Sequence, residues 1–259
     1  MAYQTRQQAT SVDGKPENQV KIEIMDMGRT FTRHNPDAIQ IEEFRRVNFS
    51  VNRGEQLALT GPGDVGKSSI LKAIFRTYLP TSGSILFHKE DGSVVNLATC
   101  SDIEARVLHK HEIGIINRSL NILPRTTILQ CVAAPLIRSG YHIQASLYRA
   151  ARLLDYLGIQ EEMFHVSPSS FSPAQQQLVN IASEIIVPKE LLLLDDPTAP
   201  LNEKHSDLIL TLLAELKKKN ITMIGIFHDP DTQERIADKT YEVTREKSCL
   251  SPMAHQEAA

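Results

Sequence analysis

Two stretches of the chain are apolar at every position: Leu191-Leu192-Leu193-Leu194 and Met223-Ile224-Gly225-Ile226-Phe227. A strand with one wetted face alternates, whereas a strand covered on both faces of a parallel sheet reads as a continuous run. Shorter β-rich runs at 21–27, 55–60, 84–87 and 113–116 join them, and the second apolar run extends over 222–227. Between these runs the apolar period changes to that of a helix. From Leu147, the positions Ala151, Leu154 and Leu157 follow at helical spacing, and Gly158 stands where a C-terminal cap belongs. Leu208, Leu212, Leu213 and Leu216 repeat the pattern behind Asn202, a favourable N-cap residue. Strands alternating with helices predict an α/β fold. Burial in a core accounts for each stripe taken by itself.

The periodicity stops at both ends. Residues 1–20 are polar with little pattern and 245–259 resemble them, so both are expected to be mobile tails around a folded unit at 21–244. Hydrophobic residues make up 41% of the 259 and charged residues 23%, enough for a sizeable core and incompatible with global disorder. A net charge of −3 argues against a nucleic-acid partner held by bulk positive charge. No apolar run approaches the roughly 20 residues of a membrane span, so no direct span is expected. Cys100, Cys131 and Cys249 are odd in number and lack metal-ligand spacing, which points to a reduced, cytoplasmic protein rather than a disulfide framework.

The most specific signal is Gly61-Pro62-Gly63-Asp64-Val65-Gly66-Lys67-Ser68-Ser69, which satisfies G-x-x-x-x-G-K-[ST]. It follows the apolar run at 55–60 and precedes a predicted helix at 68–79, the strand–loop–helix context that the motif requires. Glycines let backbone amides curl around a phosphate without an intervening Cβ, and the helix N-terminus favours an anion. Lys67 can then reach the β- and γ-phosphates while Ser68 offers a hydroxyl to Mg²⁺. A second element is the acidic pair Asp195-Asp196 ending the run at 191–194. A carboxylate there emerges at the carboxyl edge of the sheet, where ligands of open α/β sheets bind, and Asp195 can hold Mg²⁺ through water. His228-Asp229 ends a third run and would meet the same edge.

The order of these motifs resembles that of ATP-binding cassette (ABC) domains, over roughly residues 20 to 244. The resemblance implies a P-loop NTPase with a mixed core sheet and a helical subdomain at about 118–172. Phe31 matches the aromatic that stacks on adenine. Ser170-Phe171-Ser172-Pro173-Ala174-Gln175-Gln176-Gln177 matches the family signature, with Ser172 reaching the nucleotide of a second subunit. Asp195 through Asn202 matches the second acidic motif with its loop, and Ile226-Phe227-His228-Asp229 matches the switch-histidine region. ATP and Mg²⁺ are the implied cofactors, and another ABC subunit is an implied partner. Within the family, Tyr78-Leu79-Pro80, Pro168 through Ser172, Gln176-Gln177, Val179 through Ala182 and Gly225 through Asp229 are most similar to the L subunits of carbon–phosphorus lyase systems. That closer resemblance implies a soluble phosphonate-lyase assembly making a ribose methylphosphonate triphosphate; composition and spacing are silent on it.

Five places depart from the family pattern. Asp64 replaces a loop glycine; at about 6 Å from a phosphate charge and an effective dielectric near 20 it costs up to roughly 3 kcal/mol per unit charge. Arg118 replaces a glutamine that touches Mg²⁺, and its fork suits a γ-phosphate oxygen instead. Pro173 and Ala174 replace the signature glycines, so one N–H donor is lost, although Ser172-Pro173 is a good helix start. Asp196 replaces the water-polarising glutamate with a shorter carboxylate, and Asn202 replaces an aspartate. Binding parts survive better than hydrolysis parts, with Asp196 as weak base and His228 as γ-phosphate sensor. Three classes stay open: a lyase-type ATP-binding subunit, a non-catalytic scaffold, and the ATPase of a membrane transporter. A GTPase is disfavoured, because no Asn-Lys-x-Asp motif follows.

Overall fold

A computed structural model describes residues 20–32, 40–63, 65–117, 126–244 and 249–252. Among the described residues two long strands come first, β1 (Val20–Thr32) and β2 (Gln40–Asn52), paired antiparallel. Strand β3 (Gln56–Thr60) leads into helix α1 (Lys67–Ile74), followed by β4 (Ser82–His88) and β5 (Val94–Asn96). Helix α2 (Asp102–His111) feeds β6 (Ile113–Ile116). Three helices come next, α3 (Ile128–Arg138), α4 (Ile143–Tyr156) and α5 (Pro173–Ile185). Then β7 (Leu191–Asp195), α6 (Glu203–Lys218), β8 (Thr222–Ile226), α7 (Pro230–Ile236), β9 (Lys239–Glu242) and β10 (Cys249–Pro252) complete the order.

The strands form two sheets. One is antiparallel, in the order β2-β1-β4-β5; the other runs β10-β9-β3-β8-β7-β6. In the second, β9, β3, β8, β7 and β6 are parallel and β10 adds antiparallel at the edge, so the core sheet is mixed as expected. Both faces of this sheet are covered, which explains its apolar runs. Leu191 and Leu193 pack into a core shared with α1 and the antiparallel sheet, while Leu192 and Leu194 pack into a second core with α3 to α6. Ile224 and Met223 divide in the same way. The two sheets are tied where the Asn48 amide donates to the buried Tyr241 hydroxyl at 2.9 Å and the Phe49 and Tyr241 rings meet at 4.8 Å.

Several local expectations are met residue by residue. The Asn202 side chain accepts from the His205 amide at 3.0 Å and starts α6. Gly158, at φ +77, closes the end of α4. The helix predicted over 68–79 is shorter: it ends at Ile74, because Arg76 turns left-handed at φ 55 and the Thr77 amide closes on the Lys72 carbonyl at 2.8 Å. Within the stretch read as a tail from 245 onward, the backbone at Cys249–Pro252 pairs with β9. Such edge pairing is made by main-chain groups and needs no side-chain period. Residues 1–19, 245–248 and 253–259 lie outside the described residues. Among the described residues, no helix is long and apolar enough to cross a membrane.

Candidate functional site

The carboxyl ends of β3, β7 and β8 reach one edge of the core sheet, with β8 between the other two. The segments leaving that edge are the glycine loop, the acidic pair and the His228 turn. Loop geometry is fixed by two glycines. Gly61 has φ +117, and a Cβ there would lie 2.3 Å from the Val243 carbonyl oxygen; Gly66 has φ +83, and its Cβ would lie 2.7 Å from the Glu43 carbonyl oxygen. L-residues are disfavoured in that backbone region and the space is filled, so glycine is required at both positions. Gly63 differs: nothing lies within 4 Å of its Cβ position. Val65 is buried beneath the loop, and Gly66 serves as the N-cap of α1.

Lys67 is buried and folds back over its own loop, donating from Nζ to the carbonyls of Gly61 at 2.5 Å and Pro62 at 2.6 Å. Those bonds hold the ammonium against the loop that precedes it. Ser68 follows on the first turn of α1, and its hydroxyl donates to Asp195 Oδ1 at 2.9 Å. Asp195 and Asp196 are both buried at the end of β7. The backbone turns sharply here, with Asp196 at φ 53 and its amide donating to the Ile226 carbonyl of β8 at 3.0 Å. Aspartate is among the side chains that tolerate this conformation. Its Oδ2 lies 3.3 Å from Nε2 of His228, whose side chain is 57% exposed, so the pair spans from the interior to the open face. Asp229 is committed elsewhere: it caps α7 by accepting from the Thr232 amide at 3.0 Å and hydroxyl at 2.6 Å, and these bonds hold its carboxyl below the ordinary range.

The segment matched to the family signature leads into α5, which is tied to the acidic loop. Ser172 caps α5, accepting from the Gln175 amide at 3.3 Å, while the Gln175 side chain accepts from the Ser172 amide at 3.1 Å. Pro173 occupies the first helical turn, the position where its missing N–H costs least. Two buried amides tie this helix to the edge: Gln177 donates to the Pro197 carbonyl at 3.1 Å, and Asn180 to the Asn117 carbonyl at 2.9 Å. Polar residues three apart within an otherwise apolar helix face are the sequence sign of that tie. Ser69 also has a definite partner, Glu43 of β2, which accepts from its hydroxyl. Glu43 in turn pairs with Arg29 at 2.9 Å, an association invisible in the sequence. Phe31 lies in β1 with its backbone opposite Ile41. Asp64 and Arg118 lie outside the described residues.

A family model described as ABC transporter matches residues 44–199 of the chain. The chain belongs to the ABC transporter family. It is therefore an ABC-type P-loop ATPase domain. Among its relatives, the uncharacterized ABC transporter ATP-binding protein YvrO of Bacillus subtilis is 30% identical over 201 residues, 78% of this chain and 85% of that protein. The macrolide export ATP-binding/permease protein MacB of Marinobacter nauticus is 32% identical over 223 residues, but the chain spans only 33% of MacB. The lipoprotein-releasing system ATP-binding protein LolD of Legionella pneumophila is 26% identical over 214 residues and is spanned to 92%. A dimeric post-hydrolysis structure of the ATP-binding cassette MJ0796 bound to ADP and Pi shares the fold, with a TM-score of 0.78 at 24% identity, covering 88% of this chain and 97% of that one. These relatives are named as ATP-binding proteins of a transporter, a macrolide export system and a lipoprotein-releasing system; none of the three is a carbon–phosphorus lyase subunit, so the closer resemblance gains no support from them.

The residues present fit Mg·ATP. A glycine loop opens α1, a lysine ammonium lies against that loop's carbonyls, and a hydroxyl–carboxylate oxygen pair stands beside it. Among the described residues there is no group of three or more His, Cys, Asp or Glu able to hold a metal. Mg²⁺ does not need one, because it takes one or two protein oxygens and completes its shell with phosphate and water.

Proposed function

We propose that the chain is the ATP-binding subunit of a membrane transporter, binding Mg·ATP and working with a permease and a second ABC subunit. The observation that carries this is the convergence of Lys67, Ser68 and Asp195 on one sheet edge, in a chain with relatives named for transport and export. The loop amides and the Lys67 ammonium would bind the triphosphate tail, and Ser68 with Asp195 would hold Mg²⁺. When bound, Mg²⁺ neutralises phosphate charge and aligns the tail. Phe31 would stack on adenine, and Ser172, capping α5, would face the nucleotide of the second subunit.

Hydrolysis is slow in this reading. Asp196 is the carboxylate that would take a proton from water at Oδ2, steadied by His228 Nε2, and it is one methylene shorter than glutamate. Arg118 would pair with a γ-phosphate oxygen. The chain itself needs no membrane span and no nucleic acid for this work, and a cytoplasmic location fits it. The lyase reading rests on the sequence segments from Tyr78 to Asp229 alone, and co-purification decides between the two. Capture of the tagged chain with an integral membrane protein supports transport; capture with soluble phosphonate enzymes only would reverse the assignment. Steady-state ATPase rates should rise in Asp196→Glu, and melting should shift upward with Mg·ATP, since a ligand of the native state stabilises it by mass action. An unshifted melting curve would return the chain to the scaffold class.

A further inference from the structure

Beside the phosphate loop, against Gly66 and Ser69, lies a polar cluster that none of the roles above uses. Glu43 of β2 accepts the hydroxyl of Ser69, two residues beyond Lys67. Its Oε2 sits 2.9 Å from Nε of Arg29 in β1. The same guanidinium lies over the Tyr78 ring, 3.4 Å from its centroid, and donates to the Leu79 carbonyl at 2.9 Å. Burial pushes the Tyr78 phenol up. The main-chain oxygen of Glu43 also faces Gly66 at the Cβ position, so residue 43 abuts the loop at two points. One ion pair therefore joins β1, β2, the first turn of α1 and the segment after α1.

The first turn of α1 is the positive end of a helix that opens on a phosphate loop. A carboxylate bonded to a hydroxyl on that turn competes for the same positive end as an incoming triphosphate. At a separation of several ångströms and an effective dielectric near 20, such a charge weakens an anion's affinity by about tenfold or more unless a cation cancels it. Arg29 is that cation. Its guanidinium is held on three sides by the Glu43 carboxylate, the Tyr78 ring and the Leu79 carbonyl, so the compensation is built into the fold.

We propose that Arg29 sets the affinity of the nucleotide site by neutralising Glu43, the two acting as a positioning pair that holds Ser69 without repelling the triphosphate. The proposal rests on the Mg·ATP reading above. The test is calorimetric titration of Mg·ATP into the wild-type chain, Arg29→Ala, Glu43→Gln and the double variant, at low and high salt, with a melting curve for each. Expected is an affinity loss of about tenfold for Arg29→Ala at low salt that shrinks at high salt. Glu43→Gln, which keeps the bond to Ser69, binds as tightly as wild type or more so, and the double variant returns to within about threefold of wild type. A purely structural Arg29 would leave the double variant at least as impaired as Arg29→Ala, and that result overturns the proposal, as does wild-type affinity in Arg29→Ala. If Arg29→Ala does not fold, Glu43→Gln decides: weaker binding than wild type overturns it. Absence of Mg·ATP binding to the wild type places the fault in the nucleotide reading and removes both.

Discussion

Alanine at Gly66 puts a methyl group where the fold leaves no room for it. The residue sits at φ +83, and the new Cβ would lie 2.7 Å from the Glu43 carbonyl oxygen and 3.3 Å from the Phe44 ring. Left-handed backbone costs an L-residue about 1–2 kcal/mol. The oxygen belongs to the main chain of β2, so relief requires a shift of strand or loop, and forced backbone shifts cost about 1–3 kcal/mol more. The sum is about 2–5 kcal/mol, a large part of a typical folding free energy. Gly63 provides the control within the same loop, since an added Cβ there meets nothing within 4 Å. Urea unfolding of wild type, Gly66→Ala and Gly63→Ala, compared at constant m, measures the difference. In thermal melts each kcal/mol corresponds to about 2–4 °C for a chain of this size. Gly66→Ala should unfold at clearly lower denaturant, whereas Gly63→Ala should stay within about 0.5 kcal/mol of wild type. If both variants unfold with the wild type, the loop does not have the cradle conformation described.

His109 of α2 stacks on Phe75 with centroids 4.1 Å apart, and burial holds its pKa below the ordinary value. The unfolded chain takes up that proton first, so stability is lost as pH falls below about 6.5; melting temperature should drop between about pH 7 and 5.5, and less steeply in His109→Leu. Ser172→Ala removes the side-chain acceptor that caps α5, one half of its reciprocal box, which should cost about 1 kcal/mol in urea unfolding. In Asn180→Leu the Asn117 carbonyl loses its amide donor at 2.9 Å, and about 1–3 kcal/mol of stability should go with it by thermal melting.

Much of the core sheet is legible in the chain because two separate cores cover its faces. That is why the positions 191–194 need no alternation, and why Leu191 and Leu192 serve different clusters while both are buried. Caps are equally legible where a short polar side chain precedes a periodic helix, as at Ser172 and Asn202. β2 escapes notice because charged residues interleave its apolar ones and its pairing with β1 slips at several points, which breaks a period of two. The early end of α1 escapes notice too, since Arg76 takes a left-handed turn usually left to glycine and is held by bonds from its guanidinium to the Leu97 and Cys100 carbonyls. At the site, the residues joined by a motif could be read together: Lys67, Ser68, Asp195 and His228. Arg29, Glu43 and Tyr78 could not, because only the antiparallel sheet brings Arg29 and Glu43 onto α1 and the segment after it.

Calorimetric titration of Mg·ATP into the wild-type chain and Lys67→Ala addresses the phosphate cradle itself. Expected is saturable binding to the wild type and a loss of about 10–100-fold on removing the ammonium, the worth of a charge-assisted contact to phosphate. No binding at millimolar nucleotide, or superimposable isotherms for the two proteins, would contradict a triphosphate gripped by the loop between β3 and α1.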